Sequence, residues 1–149
     1  MEKYLSEQEK NQARSLLKNI DFLKGLPEAE IELLANSLEK KAFKPGQTIV
    51  FQGEISSKLY VICEGSVSVL VRVDKDNKKK VAELKPGDYF GEISLIEPTT
   101  AGATVRSESA SVICAISCDT FKKIVEKDPV ALETLKRKIA DRKEASKAK

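Results

Sequence analysis

The sequence predicts an α+β domain, with helices flanking about eight short antiparallel strands closed into a compact barrel or sandwich. Two observations carry this. Apolar residues recur at helical spacing only near the two ends of the chain. Between them, β-branched runs are cut by Gly or Pro-Gly turns roughly every ten residues. With 149 residues, the chain is long enough for one domain with its own core.

In order, Ser6 and Glu9 have the spacing of a capping box and predict a helix over residues 6–19, with Leu16, Leu17 and Ile20 as its apolar patch. Gly25 stops the short apolar link that follows, and Pro27 opens a second helix whose buried side is Ile31, Leu34, Ala35 and Leu38. After Lys41 the period changes. Pro45-Gly46 makes a turn, residues 48–51 a strand closed by Gly53, and residues 58–63 a strand closed by Gly65. Residues 66–73 alternate, placing Val67, Val69, Val71 and Val73 on one face. The run 74–80, ending in Lys78-Lys79-Lys80, reads as a polar hairpin loop, and residues 81–84 return as a strand. Pro86-Gly87 repeats the turn, and residues 102–106 and 111–116 are the last two strands. Ser117 and Asp119 cap a helix through Phe121, Ile124 and Val125. Pro129 starts a final helix marked by Val130, Leu132, Leu135 and Ile139.

Composition narrows the chemistry. The chain has no histidine, which removes the usual zinc sites, Ser-His-Asp triads and Cys-His pairs, and no metal site is expected. No Gly-rich nucleotide-hydrolase loop and no recognisable carboxylate pair is present, so no catalytic residue is assigned and the chain is read as a non-enzyme. Cys63, Cys114 and Cys118 lie in or beside apolar segments and read as small buried hydrophobes rather than a disulfide framework. No apolar run approaches membrane-spanning length and no signal pattern opens the chain, so a cytoplasmic location without membrane insertion is expected. Residues 136–149 hold seven basic side chains against two acidic ones, so this segment carries +5 and the rest −2. A basic, solvated helix end is the ordinary form of such a tail.

Residues 89–105 concentrate the chemistry. Gly91 lets the backbone take a conformation barred to other residues or approach a ligand. The N–H groups of Ile93, Ser94 and Leu95 open a helical turn suited to an anion, and Glu92 beside them can accept from a hydroxyl. Such a cradle suits a ligand with both a phosphate and sugar hydroxyls. The competing reading is architectural: Gly91 makes a turn and Glu92 caps local backbone.

The order Pro45-Gly46, Gly53, Leu59-Tyr60-Val61-Ile62, Gly65-x-Val67-x-Val69, Pro86-Gly87-Asp88-x-Phe90-Gly91-Glu92 and Ala103-Thr104-Val105 resembles the cyclic nucleotide-binding domain family. The resemblance covers roughly residues 20–142, leaving an N-terminal helix in 1–19 and a basic tail in 143–149. It implies an eight-stranded jelly-roll-like barrel with flanking helices, and no cofactor but cAMP or cGMP as ligand. It places Gly91, Glu92, Ile93 and Ser94 in the first turn of a phosphate-binding cassette, with Glu92 on the ribose 2′-hydroxyl and the N–H groups around Ser94 on the cyclic phosphate. The family then sets an arginine ahead of a small-small-Thr-Val run. Counting back through Gly102-Ala103-Thr104-Val105, that position is Ala101. A charged hydrogen bond to an anion contributes about 1.5–3 kcal/mol, so its loss weakens phosphate binding roughly ten- to over a hundredfold. Arg106 alternates onto the face opposite Ala101 and Ala103. Thr99 and Thr100 offer hydroxyls only.

Two functions follow. One is a sensor whose cassette is degenerate, with helices after Ser117 as its lid and a joint near Asp128-Pro129; no base-capping residue is identified, and an aromatic one would have to be Phe121. The other is a protein-interaction or self-association module acting without ligand through Leu132, Leu135 and Ile139. Specific nucleic-acid binding is not expected, because relatives that regulate transcription carry a helix-turn-helix after the barrel and the sequence ends at Lys149.

Overall fold

The computed structural model describes residues 6–20, 23–24, 26–91 and 99–147. Helix α1 (Glu7–Lys18) starts at the expected cap: the Ser6 side chain accepts from the Glu9 N–H, and the Glu9 carboxylate accepts from the Ser6 N–H. Glu9 also pairs with Lys40 at 3.0 Å, tying α1 to the first strand. Helix α2 (Glu28–Asn36) buries Ile31, Leu34 and Ala35 as the spacing predicts. Pro27 stands at its N-cap rather than inside it, with extended ψ of 148°, and its carbonyl accepts from the Glu30 and Ile31 N–H groups. Gly25, the expected stop before it, lies outside the described residues.

Among the described residues ten strands follow: β1 (Glu39–Phe43), β2 (Thr48–Val50), β3 (Ile55–Ser56), β4 (Lys58–Glu64), β5 (Val67–Arg72), β6 (Lys78–Leu84), β7 (Tyr89–Phe90), β8 (Thr99–Thr100), β9 (Thr104–Ser107) and β10 (Ser111–Ser117). They form two four-stranded antiparallel sheets, β1-β10-β4-β7 and β2-β9-β5-β6, and a two-stranded ribbon, β3-β8. The α+β class with flanking helices stands, and of the barrel and the sandwich expected from the sequence the described residues form two sheets that are not closed on one another. Among the described residues the two large sheets share no ladder and meet through side chains. Ile62 and Ile113 from the first pack on Val67 and Val105 from the second.

The first sheet is buried on both faces, which is why β4 and β10 read as nearly continuous apolar runs. Along β4, Leu59 and Val61 turn toward the helices, while Tyr60 and Ile62 turn toward the second sheet. Cys114 and Ile116 of β10 join Ala13, Leu17, Ile31 and Leu34 in the helix-side core. The molecule is thus three layers: helices, first sheet, second sheet.

Two strand readings change. β5 ends at Arg72, so Val73 falls beyond the expected face and is exposed, while Leu70 on the opposite face is buried; the register shift at Val69/Leu70 puts its extra residue, Val81, in β6, and β5 stays in step with β9. The lysine run belongs to β6, where Lys78, Lys79 and Lys80 pair with Arg72, Val71 and Leu70. The loop is shorter than the polar run suggests because Asp74 accepts from the Asp76 and Asn77 N–H groups and closes the turn early. The lysines then line an outer strand, a position where charge blocks edge-to-edge pairing.

Helix α3 (Cys118–Val125) is capped by Ser117, whose hydroxyl accepts from the Thr120 N–H at 3.2 Å. Helix α4 (Pro129–Lys147) begins at the expected proline and continues through residues 143–147. Cys114 and Cys118 are buried, whereas Cys63 is half-buried, and its Sγ lies 2.7 Å from that of Cys114. The side-chain hydrogen bond between them holds the Cys63 thiol below its usual range and pushes Cys114 up. Among the described residues no helix is long and apolar enough to cross a membrane.

Candidate functional site

The site is assembled around the edge of β4. Strand β7 pairs with it through Tyr60↔Phe90 and Val61↔Tyr89, and the Tyr60 and Phe90 rings stack with centroids 4.7 Å apart. The next residue, Gly91, has φ of +88°. A Cβ there would run into the Lys58 carbonyl oxygen and lie 3.7 Å from the Tyr60 ring. Both freedoms expected of Gly91 are therefore used, left-handed backbone and close approach, and both act against β4. Glu92, Ile93 and Ser94 lie outside the described residues.

The other end of the expected cassette is described. The Ala101 N–H donates to the Glu54 carbonyl at 2.7 Å, and its carbonyl accepts from the Gly53 N–H at 2.9 Å. These bonds extend the β3-β8 ribbon, in which Ile55 faces Thr100. Gly102 is exposed with open space around it, Ala103 is half-buried, and buried Thr104 accepts from the Gln52 N–H at 3.0 Å. The segment 101–104 is thus fastened to the 52–54 turn.

A cleft of about 240 Å³ lies beside these segments, lined by Ile49, Val50, Glu54, Ile55, Ser56, Ser57, Lys58 and Tyr60. Gly91 presses on two of its walls, Lys58 and Tyr60, while Ala101 is bonded to a third, Glu54. The Glu54 carboxylate is itself positioned, since its Oε1 accepts from the Phe51 N–H at 2.9 Å. Burial, and then the nearby Glu54 charge, push the Tyr60 hydroxyl up, so it stays protonated and can donate.

Of the sequence expectations, Gly91 and Ala101 each lie against a residue that lines the cleft, Gly91 against Lys58 and Ala101 against Glu54, and neither lines it itself. Arg106 does not line it; it faces Thr48 and Ser68 on β9, on the side opposite the buried Val105. Phe121 is 1% exposed within the helix-side core and does not line the cleft. Its helix places the ring on the apolar side shared with Val125, away from solvent. Glu54, Ser56, Ser57 and Lys58 were not singled out by sequence. The parity of β4 was the available signal, since Lys58 shares a side with Tyr60 and Ile62.

Comparison with known proteins places the chain. The family model for the cyclic nucleotide-binding domain matches residues 40–128. A cAMP-dependent protein kinase regulatory subunit from Schizosaccharomyces pombe is 30% identical over 111 residues, which is 74% of this chain and 26% of that protein. The regulatory subunit of a cAMP-independent protein kinase A from Trypanosoma brucei, solved as a triple mutant bound to cAMP in the A site, superposes with a TM-score of 0.70 at 32% identity, covering 88% of this chain and 47% of that one. The corresponding subunit from Trypanosoma cruzi, bound to guanosine, superposes with a TM-score of 0.68 at 28% identity, covering 80% and 42%. The chain spans as little as 12% of other curated relatives, among them a cGMP-dependent protein kinase from Eimeria tenella. With well over half of its residues inside the family match and this architecture around the cleft, the chain belongs to the cyclic nucleotide-binding domain family.

Proposed function

We propose that this domain is a non-catalytic, ligand-sensing regulatory module whose hold on a cyclic phosphate is weakened at Ala101. The observation that carries the reading is the setting of that residue. It contributes a methyl group, and both of its backbone groups are taken by the Gly53-Glu54 turn. The Trypanosoma brucei subunit supports it: that protein is described as part of a cAMP-independent kinase, and its cAMP complex is of a mutant in which one substitution introduces an arginine.

In this reading Gly91, Glu92, Ile93 and Ser94 form the first turn of the cassette, with Glu92 on the ribose and the N–H groups around Ser94 on the phosphate. Gly102, Ala103 and Thr104 carry the chain back into the second sheet. Regulation passes to a partner protein through α3 and α4, whose junction is a short helical break. There the Asp128 N–H donates to the Val125 carbonyl, and the Asp128 carbonyl accepts from Leu132. A ligand-independent interaction or dimerisation module is the alternative, favoured by the exposed Val130 on α4.

Calorimetric titration with cAMP and cGMP, on the native chain and on Ala101→Arg, tests this. The native chain binds weakly, and the variant gains roughly ten- to a hundredfold for at least one of them. Tight native binding contradicts the assignment of Ala101. No binding by either protein favours the interaction module.

A further inference from the structure

We propose that Cys63 and Cys114 form a thiol-oxidation site, in which a hydroperoxide converts the pair to a reversible disulfide that joins β4 to β10 inside the domain. Neither cysteine lines the cleft, and the inference is independent of any ligand bound there.

The strands bring the pair together. In the β4-β10 ladder Cys114 faces Val61, Ile113 faces Ile62 and Val112 faces Glu64. Cys63 is therefore the extra residue of a bulge, with no facing partner in the register. In a regular antiparallel pair, a residue two positions past the facing one is a diagonal neighbour about 7–8 Å away, beyond the usual Cα separation of a disulfide. The bulge re-aims Cys63, and its Sγ lies 2.7 Å from that of Cys114, against about 2.05 Å in a disulfide. Both side chains belong to the helix-side core, where Ala13 and Leu17 of α1 also pack. The bond would link positions 51 residues apart and cross-tie the sheet beneath α1.

The two thiols are unequal. Cys63 is half-buried and Cys114 is buried, so an oxidant in solvent reaches Cys63 first. The hydrogen bond from Cys114 holds the Cys63 thiol below its usual range, against burial and the Glu64 and Glu9 charges, while Cys114 keeps its proton. Lys40, which faces Cys114 across β1 and pairs with Glu9, supplies the nearby positive charge. Access and ionisation together make Cys63 the attacking sulfur and Cys114 the resolving one. Cys118 is buried, and burial pushes its thiol up, which leaves it out of the reaction.

The peroxide is the only oxidant needed. The Cys63 sulfur attacks one peroxide oxygen: an S–O bond forms, the O–O bond breaks, and the other oxygen leaves as water with the Cys63 proton. The Cys114 sulfur then attacks the Cys63 sulfenic acid: the S–S bond forms, the S–O bond breaks, and the hydroxyl leaves as a second water with the Cys114 proton. Each sulfur gives up one electron, and the peroxide takes two. A thiol reductant reverses the change by exchange.

The test treats the full chain with hydrogen peroxide, as the native protein, Cys63→Ala, Cys114→Ala and Cys118→Ala, followed by intact mass, thiol counting and non-reducing peptide mapping, with thermal melts as a folding control. The native chain should lose about 2 Da and two of its three thiols, show a Cys63–Cys114 linked peptide, and recover both thiols in dithiothreitol. Cys118→Ala should form the same link. Cys114→Ala should stop at a Cys63 sulfenic acid that dimedone traps, and Cys63→Ala should keep Cys114 reduced at the same dose. A native chain that retains all three thiols, a link through Cys118 or to a second copy, or Cys63 carried to sulfinic acid without a link overturns the proposal. If an alanine variant at Cys63 or Cys114 does not fold, the peptide maps of the native chain and Cys118→Ala decide it.

Discussion

Gly91 and Gly46 separate two kinds of glycine. Both have positive φ, +88° and +84°, but a Cβ at Gly46 meets nothing within 4 Å, whereas one at Gly91 strikes the Lys58 carbonyl. Gly46→Ala should therefore cost only the backbone strain, about 1–2 kcal/mol. Gly91→Ala should cost clearly more, because β7 must also move off β4. Urea denaturation of the two variants checks this; equal losses would show that the close approach carries no energy. Gly91 was legible in the sequence as a position needing freedom, yet the residue it presses against was not, because pairing across 30 residues leaves no local signal. Glu30 was illegible altogether. It sits on the buried side of α2 with neither carboxylate oxygen hydrogen-bonded among the described residues. Burial first, and the nearby Asp128 second, push its carboxyl up. A raised pKa means the folded state holds a proton that the unfolded state has lost, so Glu30 subtracts stability as pH rises from its unfolded value through its folded one. Glu30→Gln should raise the melting temperature at pH 7, with a smaller gain at pH 4. An equal gain at both would deny the burial penalty.

At the scale of elements, the helices were readable because their caps and apolar stripes are local. Helix α1 has the Ser6–Glu9 box, and α3 has the Ser117 cap. Ser6→Ala should cost about 1 kcal/mol of stability. The Glu9 carboxyl is held below its usual range, first by the Ser6 N–H and then by Lys40. Its contribution is therefore present above its unfolded pKa and lost as pH falls through the folded one. Glu9→Gln should destabilise at pH 7 and become neutral in acid, and chemical denaturation across that range measures it. Strands with alternating or continuous apolar runs were readable too. The two-residue strands β3 and β8 were not, since two residues define no period, and they form the ribbon that fastens Ala101 to Glu54. In β6, the extra residue Val81 between the partners of Val69 and Leu70 was not legible either, because a bulge changes register without changing composition.

Over the whole molecule, the layered build explains how the site divides. The helix layer and the first sheet share one core, and the two sheets share another. The cleft opens at the start of β4, beside the β3-β8 ribbon and near the strand β7 that leads to Gly91. Gly91 and Ala101 stood out in the sequence, whereas the cleft residues Glu54, Ser56, Ser57 and Lys58 did not, because they come together through tertiary placement. In the proposed reading, this family member keeps the scaffold of a nucleotide site and lacks its strongest phosphate contact at Ala101. Its most direct measurement is the ratio of cAMP dissociation constants for the native chain and Ala101→Arg under identical salt. A ratio of roughly ten to a hundred in favour of the arginine variant is predicted. A ratio near one, with tight binding by both proteins, would contradict it.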